Sequence, residues 1–103
     1  MAYKLRISKD ANADINDIVS YMSLELKSAQ AADAFLDDVE ASYRRLVENP
    51  FIYAKCDDHL LERRGYRKIV IKNYLVLFRI DEENQMVYIV RIVYGGRSNA
   101  NML

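Results

Sequence analysis

The sequence predicts an α+β fold in the order β-α-α-β-β-β, with a helical hairpin packed on one face of a small, mainly antiparallel sheet. Three observations predict it. Residues 3–8 alternate apolar and polar with a period of two, residues 9–49 carry two apolar stripes at helical spacing around a short break, and residues 66–93 hold three β-rich runs joined by tight turns. With 103 residues and 51% hydrophobic content, the chain has material for one domain, residues 1–103, around one core.

The elements follow in order. Tyr3, Leu5 and Ile7 alternate with Lys4, Arg6 and Ser8, which reads as a half-buried strand with the first set inward. Ser8 can cap a helix over about 9–27, where Ile15, Ile18, Val19, Met22 and Leu26 form one stripe and Asp10, Asp14, Asp17 and Ser20 the other side. Ser28 is placed to cap a second helix with Ala32, Phe35, Leu36, Val39, Tyr43 and Leu46 inward, and Asn49-Pro50 stops it. Residues 51–62 sustain no period and collect Asp57, Asp58 and Glu62, so they read as a loop. Strands are expected at about 66–72, 74–80 and 86–93, turning at Lys72-Asn73 and at Asp81 to Asn84. The last two are apolar on both faces, which places them centrally, with one sheet face left needing a cover or a partner.

The zero net charge hides a split: residues 1–62 hold 7 Lys+Arg against 12 Asp+Glu, and residues 63–103 hold 8 against 3. Guanidinium groups fixed on a sheet attract phosphate or carboxylate, so a nucleic acid or an acidic protein is the expected partner. No apolar run approaches the ~20 residues of a membrane span, and the N-terminus alternates where a signal peptide would be continuously apolar. The lone Cys56 fits a reducing, cytoplasmic setting, no cofactor is implied, and no Cys/His spacing suggests a metal.

Several stretches together resemble one family. They are Tyr3-Lys4-Leu5-Arg6-Ile7-Ser8, the Ala-x-Ala-Asp-Ile-x-Asp-Ile run of residues 11–18, Gln30-Ala31-Ala32, Glu48-Asn49-Pro50, Arg64-Gly65-Tyr66-Arg67, and residues 87–94, Val-Tyr-Ile-Val-Arg-Ile-Val-Tyr. In this order and spacing the chain resembles the RelE/ParE toxins of bacterial type II toxin-antitoxin modules, over nearly its whole length. The resemblance implies two alternative activities on one scaffold: RelE-like members cut messenger RNA in the ribosome, and ParE-like members poison DNA gyrase without known catalysis. The RelE-like branch has an arginine directly after the tyrosine that opens the third strand; here Tyr74 is followed by Leu75. The run Lys72-Asn73-Tyr74-Leu75-Val76-Leu77-Phe78-Arg79 and the segment from Tyr94 to Leu103 look like the apolar third strand and short C-terminal extension of the ParE-like branch, which is the reading favoured. Its implied partners are a cognate antitoxin, bearing acidic residues, and DNA gyrase, with a homodimer or a toxin-antitoxin heterotetramer as compatible assemblies. A ribosome-dependent ribonuclease would draw on Lys68, Arg79, Tyr94 and Arg97, and a third alternative is a non-toxic member that only binds its antitoxin.

The expected binding residues are Arg64, Arg67, Arg79, Arg91, Tyr94 and Arg97. Arg67, Arg79 and Arg91 each interrupt an apolar strand, where a charge requires a reason. Either they cluster on the face away from the helices as a binding site, or they bridge to helix carboxylates as structure. Arg97 follows Gly95-Gly96 with fewer structural duties, and Arg64 beside Arg63 is either a phosphate contact or a solubilising loop residue. Tyr3, Tyr43 and Tyr88 are expected in the core, and the acidic helix residues, Asp14 among them, on the solvated surface. His59 and Cys56 have no partner visible in the sequence and carry no assigned role.

Overall fold

A computed structural model of the protein describes residues 2–95. Strand β1 (Lys4–Ile7) leads through Ser8 into helix α1 (Lys9–Ser20), helix α2 (Ala29–Glu48) returns antiparallel to it, and a short helix α3 (His59–Arg63) precedes strands β2 (Arg67–Ile71), β3 (Tyr74–Asp81) and β4 (Met86–Tyr94). The sheet order is β1-β4-β3-β2, with β1 parallel to β4 and the other pairs antiparallel. The two doubly apolar strands are therefore the central ones, as their composition predicts.

Both helix starts form as expected. Ser8 Oγ accepts from the Ala11 amide at 2.9 Å, Ser28 Oγ from the Ala31 amide at 3.0 Å, and each relieves an amide that would otherwise lack a partner. The first helix is not regular to residue 27, however. After Ser20 the chain widens into a π-helical turn, Tyr21–Glu25, closed by Leu26 N–H to Tyr21 O at 3.0 Å, and Lys27 adopts φ 52° at its end. One wide turn keeps Met22 buried, so apolar spacing alone cannot distinguish it from α-helix.

The hairpin packs its stripe, including Ile18, Met22, Phe35, Val39 and Leu46, onto Ile69, Ile71, Val76, Phe78, Val87, Ile89 and Ile92 of the sheet. Tyr3, Leu5 and Ile7 border this core, half-buried as expected. Phe35 and Leu46 on the helices and Val76, Phe78, Val87 and Ile89 on the strands are wholly inaccessible to solvent. Truncating either aromatic to alanine removes burial of the kind that costs ~3–5 kcal/mol.

Residues 51–62 correct the loop expectation. Pro50–Ile52 form a 3-10 turn, and Asp58 caps α3 by accepting the Leu60 and Leu61 amides at 3.0 and 3.2 Å. A five-residue helix is too short to show a helical period, which is why the pattern missed it. The hairpin turn at Lys72-Asn73 sits where expected, with Lys72 at φ 53°.

Candidate partner-docking face

Side-chain alternation divides the sheet. Val76 and Phe78 of β3 face the hairpin, so Leu75, Leu77 and Arg79 face the other way. Part of this second face has a cover. Backbone bonds from Cys56 N–H to Tyr66 O and from Lys68 N–H to Ala54 O, both 3.1 Å, dock residues 54–56 beside β2, and α3 lays Leu61 onto Cys56, Tyr66, Leu77 and Val93. Gly65 turns the chain from α3 into β2 at φ +83°, a left-handed conformation that glycine adopts without strain. Buried in this satellite core, Cys56 has its thiol pKa pushed up from 9.0, chiefly by desolvation.

Beyond that cover, three residues line up across three strands. Tyr88 on β4 is the register partner of Arg6 on β1 and also of Arg79 on β3. All three are exposed, and the ring of Tyr66 comes next, with the Arg79 guanidinium carbon 5.6 Å from its centroid. Arg6, Ser8, Tyr66, Arg79, Tyr88 and Val90 border an open groove of about 430 Å³. Among the described residues no acid forms an ion pair with Arg6 or Arg79. Asp81 and Glu82 border the adjoining depression together with Arg79 and Tyr88. The Asn84 side-chain amide donates to Asp81 at 2.8 Å and holds that carboxyl below its ordinary value, so it stays charged.

The other expected arginines lie elsewhere. Arg67 shares the helix-side face with Ile69 and Ile71; it donates to the Tyr53 carbonyl at 2.7 Å and stands 5.3 Å over the Phe51 ring. A β-bulge opposite Leu77 and Phe78 shifts the register of β4, and Arg91, the register partner of Leu77, forms an ion pair with Asp14 of α1. That carboxylate accepts Arg91 Nε at 2.8 Å, Arg91 Nη2 at 2.9 Å and the Ile92 amide at 2.9 Å, beside the stretch of β4 beyond the end of β1. The expected cluster of Arg67, Arg79 and Arg91 is thus corrected: alternation separates the first two, and the ion pair with Asp14 engages the third. Asp14 is no solvated surface residue; its side chain is 13% exposed. Tyr88, expected in the core, is 38% exposed on the second face.

Lys68 Nζ meets Asp57 at 2.6 Å, and Arg64 ends α3 in solvent. Tyr94 stacks edge-on against Tyr74 at 6.0 Å, and Tyr74 against Phe35 at 5.4 Å, so both tyrosines belong to the helix side. Burial first, then the neighbouring Tyr21 and Tyr94, pushes up the Tyr74 hydroxyl. Near this end Tyr21, Leu24 and Leu26 stand exposed around the tip of the hairpin. Arg79 and Tyr94 therefore occupy opposite faces, and five positions along β3 separate Arg79 from Tyr94's partner Tyr74, about 17 Å. Arg97 and the apolar end at Met102-Leu103, expected to dock on the body, lie outside the described residues. Arg6 and Tyr88 escaped the sequence reading because only strand register shows that they are neighbours.

Comparison with known proteins fits this architecture. The profile of the ParE toxin of type II toxin-antitoxin systems, parDE, matches residues 5–99. Toxin ParE1 of Caulobacter vibrioides is 29% identical over 94 residues, spanning 91% of this chain and 94% of its own. Among solved structures, the chromosomal ParDE system of P. aeruginosa superposes with a TM-score of 0.71 at 18% identity, covering 90% of this chain and 96% of that one. The RelBE2 toxin-antitoxin complex of Mycobacterium tuberculosis gives 0.63 at 21%, covering 91% and 99%. A mutant E. coli toxin RelE in the free state gives 0.64 at 14%, covering 99% and 93%. The likeness to the three structures establishes the fold.

Proposed function

Because the chain belongs to the ParE toxin family of type II toxin-antitoxin systems, we propose that it arrests growth by poisoning DNA gyrase in the cytoplasm and that a cognate antitoxin holds it silent. The observation that carries this reading is Leu75. Where the resemblance to the RelE-like branch would require a cation next to the strand-opening tyrosine, a leucine sits against Leu77 and Val93 in the satellite core. A leucine cannot neutralise the crowded phosphate that forms when a 2′-hydroxyl attacks RNA.

The remaining candidates support binding over catalysis. General acid-base cleavage needs its groups within hydrogen-bond reach of one reacting centre. Arg79 and Tyr94 stand on opposite faces, and the Lys68 ammonium is engaged by Asp57. A protein that acts by docking has no such requirement; it needs exposed apolar and basic surface, which the hairpin tip and the Arg6–Tyr88–Arg79 row supply. The antitoxin is expected to be a neighbouring gene's product that lays an amphipathic or extended segment over such surfaces.

The test is incubation of supercoiled plasmid with purified gyrase, ATP and one equivalent of the protein, followed by detergent and protease. Linear plasmid trapped from a cleavage complex is the expected product. Intact plasmid at stoichiometric toxin, together with message cut within codons only when ribosomes are supplied, would overturn the reading in favour of a ribonuclease.

A further inference from the structure

We infer that the row Arg6–Tyr88–Arg79 is a carboxylate-binding site that receives one acidic side chain of a partner polypeptide; that the partner is the antitoxin rests on the toxin reading above.

Three observations lead there. First, the site holds two guanidinium groups that no acid pairs with among the described residues, set one strand to either side of the same tyrosine. Neighbouring strands lie ~4.8 Å apart, so their backbones are about 10 Å apart and the long side chains can converge over the Tyr88 hydroxyl. Second, the Arg79 guanidinium carbon stands 5.6 Å from the Tyr66 ring centroid, a cation–π contact that helps hold the side chain in place while its N–H groups keep the fork that suits a planar anion. Third, the charge around the row limits what fits. Asp81 and Glu82 close one side and would repel the continuing phosphates of a nucleic acid, while on the other side the face turns apolar at Val90 and Leu77. A single carboxylate brings one negative charge to two guanidinium groups, whereas a nucleic acid would bring further charges against those acids.

The groove is open, so it cannot enclose a small free acid as a ligand pocket does. A carboxylate held there alone binds weakly, and one carried on a polypeptide anchored elsewhere binds firmly, which is the condition of a side chain on a bound partner.

The full-length protein, labelled with 15N, is titrated with an acetylated, amidated peptide of alanines around one glutamate. The same peptide with glutamine in its place, inorganic phosphate and a short oligothymidylate serve as comparison probes. The glutamate peptide is expected to shift the Nε–H signals of Arg6 and Arg79 and the amide of Tyr88, with the glutamine peptide inert. Arg6→Gln and Arg79→Gln should each weaken the effect about tenfold, as loss of a charge-assisted bond does. Arg6 lies exposed on an edge strand, so its variant tests the site even where the Arg79 variant perturbs the fold. Equal shifts from the glutamate and glutamine peptides would overturn the inference. So would shifts that survive both substitutions, or displacement of the glutamate peptide by oligothymidylate at lower concentration, which would assign the row to nucleic acid. None of these results depends on whether gyrase is poisoned, so the two readings fail separately.

Discussion

Changing Asp14 to asparagine tests the tie between helix and sheet. The carboxylate accepts three hydrogen bonds, two from Arg91 and one from the Ile92 amide, and the two side chains are 13% and 22% exposed. Asparagine keeps the shape but carries one acceptor oxygen, so its NH2 group confronts a donor and the guanidinium loses the Asp14 charge. Breaking a fully buried pair costs ~3–5 kcal/mol, and partial solvent access to Arg91 reduces this to about 2 kcal/mol. Against a typical stability of ~5–15 kcal/mol that is a substantial loss. Urea unfolding followed by circular dichroism measures it. Arg91→Met should cost less, since Asp14 retains the Ile92 amide, and the double variant should lose about 1 kcal/mol less than the sum of the singles. Additive losses, or an asparagine variant within about 0.5 kcal/mol of the parent, would refute the claim that this pair joins α1 to β4.

Burial raises the Tyr43 hydroxyl to about 12 from 10.0. A neutral group whose folded pKa lies above its unfolded one leaves stability intact below pH 10 and withdraws it as pH rises towards 12, up to ~2.7 kcal/mol in the limit. Denaturant midpoints measured across that range should fall less steeply for Tyr43→Phe. At neutral pH the same variant should match or slightly exceed the parent in thermal unfolding, because the buried hydroxyl has no hydrogen-bond partner among the described residues. Gly65→Ala meets no atom within 4 Å but must hold φ +83°, so calorimetry should show a loss of ~1 kcal/mol without collapse of the fold. Cys56 should react slowly with a thiol reagent in the folded protein and rapidly in urea; fast native labelling would contradict its burial beneath α3.

The architecture was legible because period and composition agree locally. The Ser8 and Ser28 caps, the Asn49-Pro50 stop and the doubly apolar β3 and β4 each state their role within a few residues. What the sequence concealed depends on distance along the chain. α3 is shorter than the period that would reveal it, and the bulge between β3 and β4 is a property of two strands together. Arg79 stands out in the sequence as a charge needing a reason, yet its neighbours Arg6 and Tyr88 come from strands far apart in sequence. Asp14 looked like one more solvated acid on α1; only its position beside β4 makes it an ion-pair partner 77 residues from Arg91.

The parallel pairing of β1 with β4 sets an order of events during synthesis. Lys4 to Ile7 find their partners only in Met86 to Ile89, and Ser8 Oγ donates to the Val90 carbonyl 82 residues away. A growing chain can wind both helices and close the β2–β3 hairpin while its first strand still waits, since distant pairings form late. The Arg6–Tyr88–Arg79 row exists only once that wait ends, so a ribosome that stalls before Tyr88 releases a fragment lacking the surface assigned to its partner. The row proposed to receive a partner's carboxylate thus arrives at the same moment as the finished sheet.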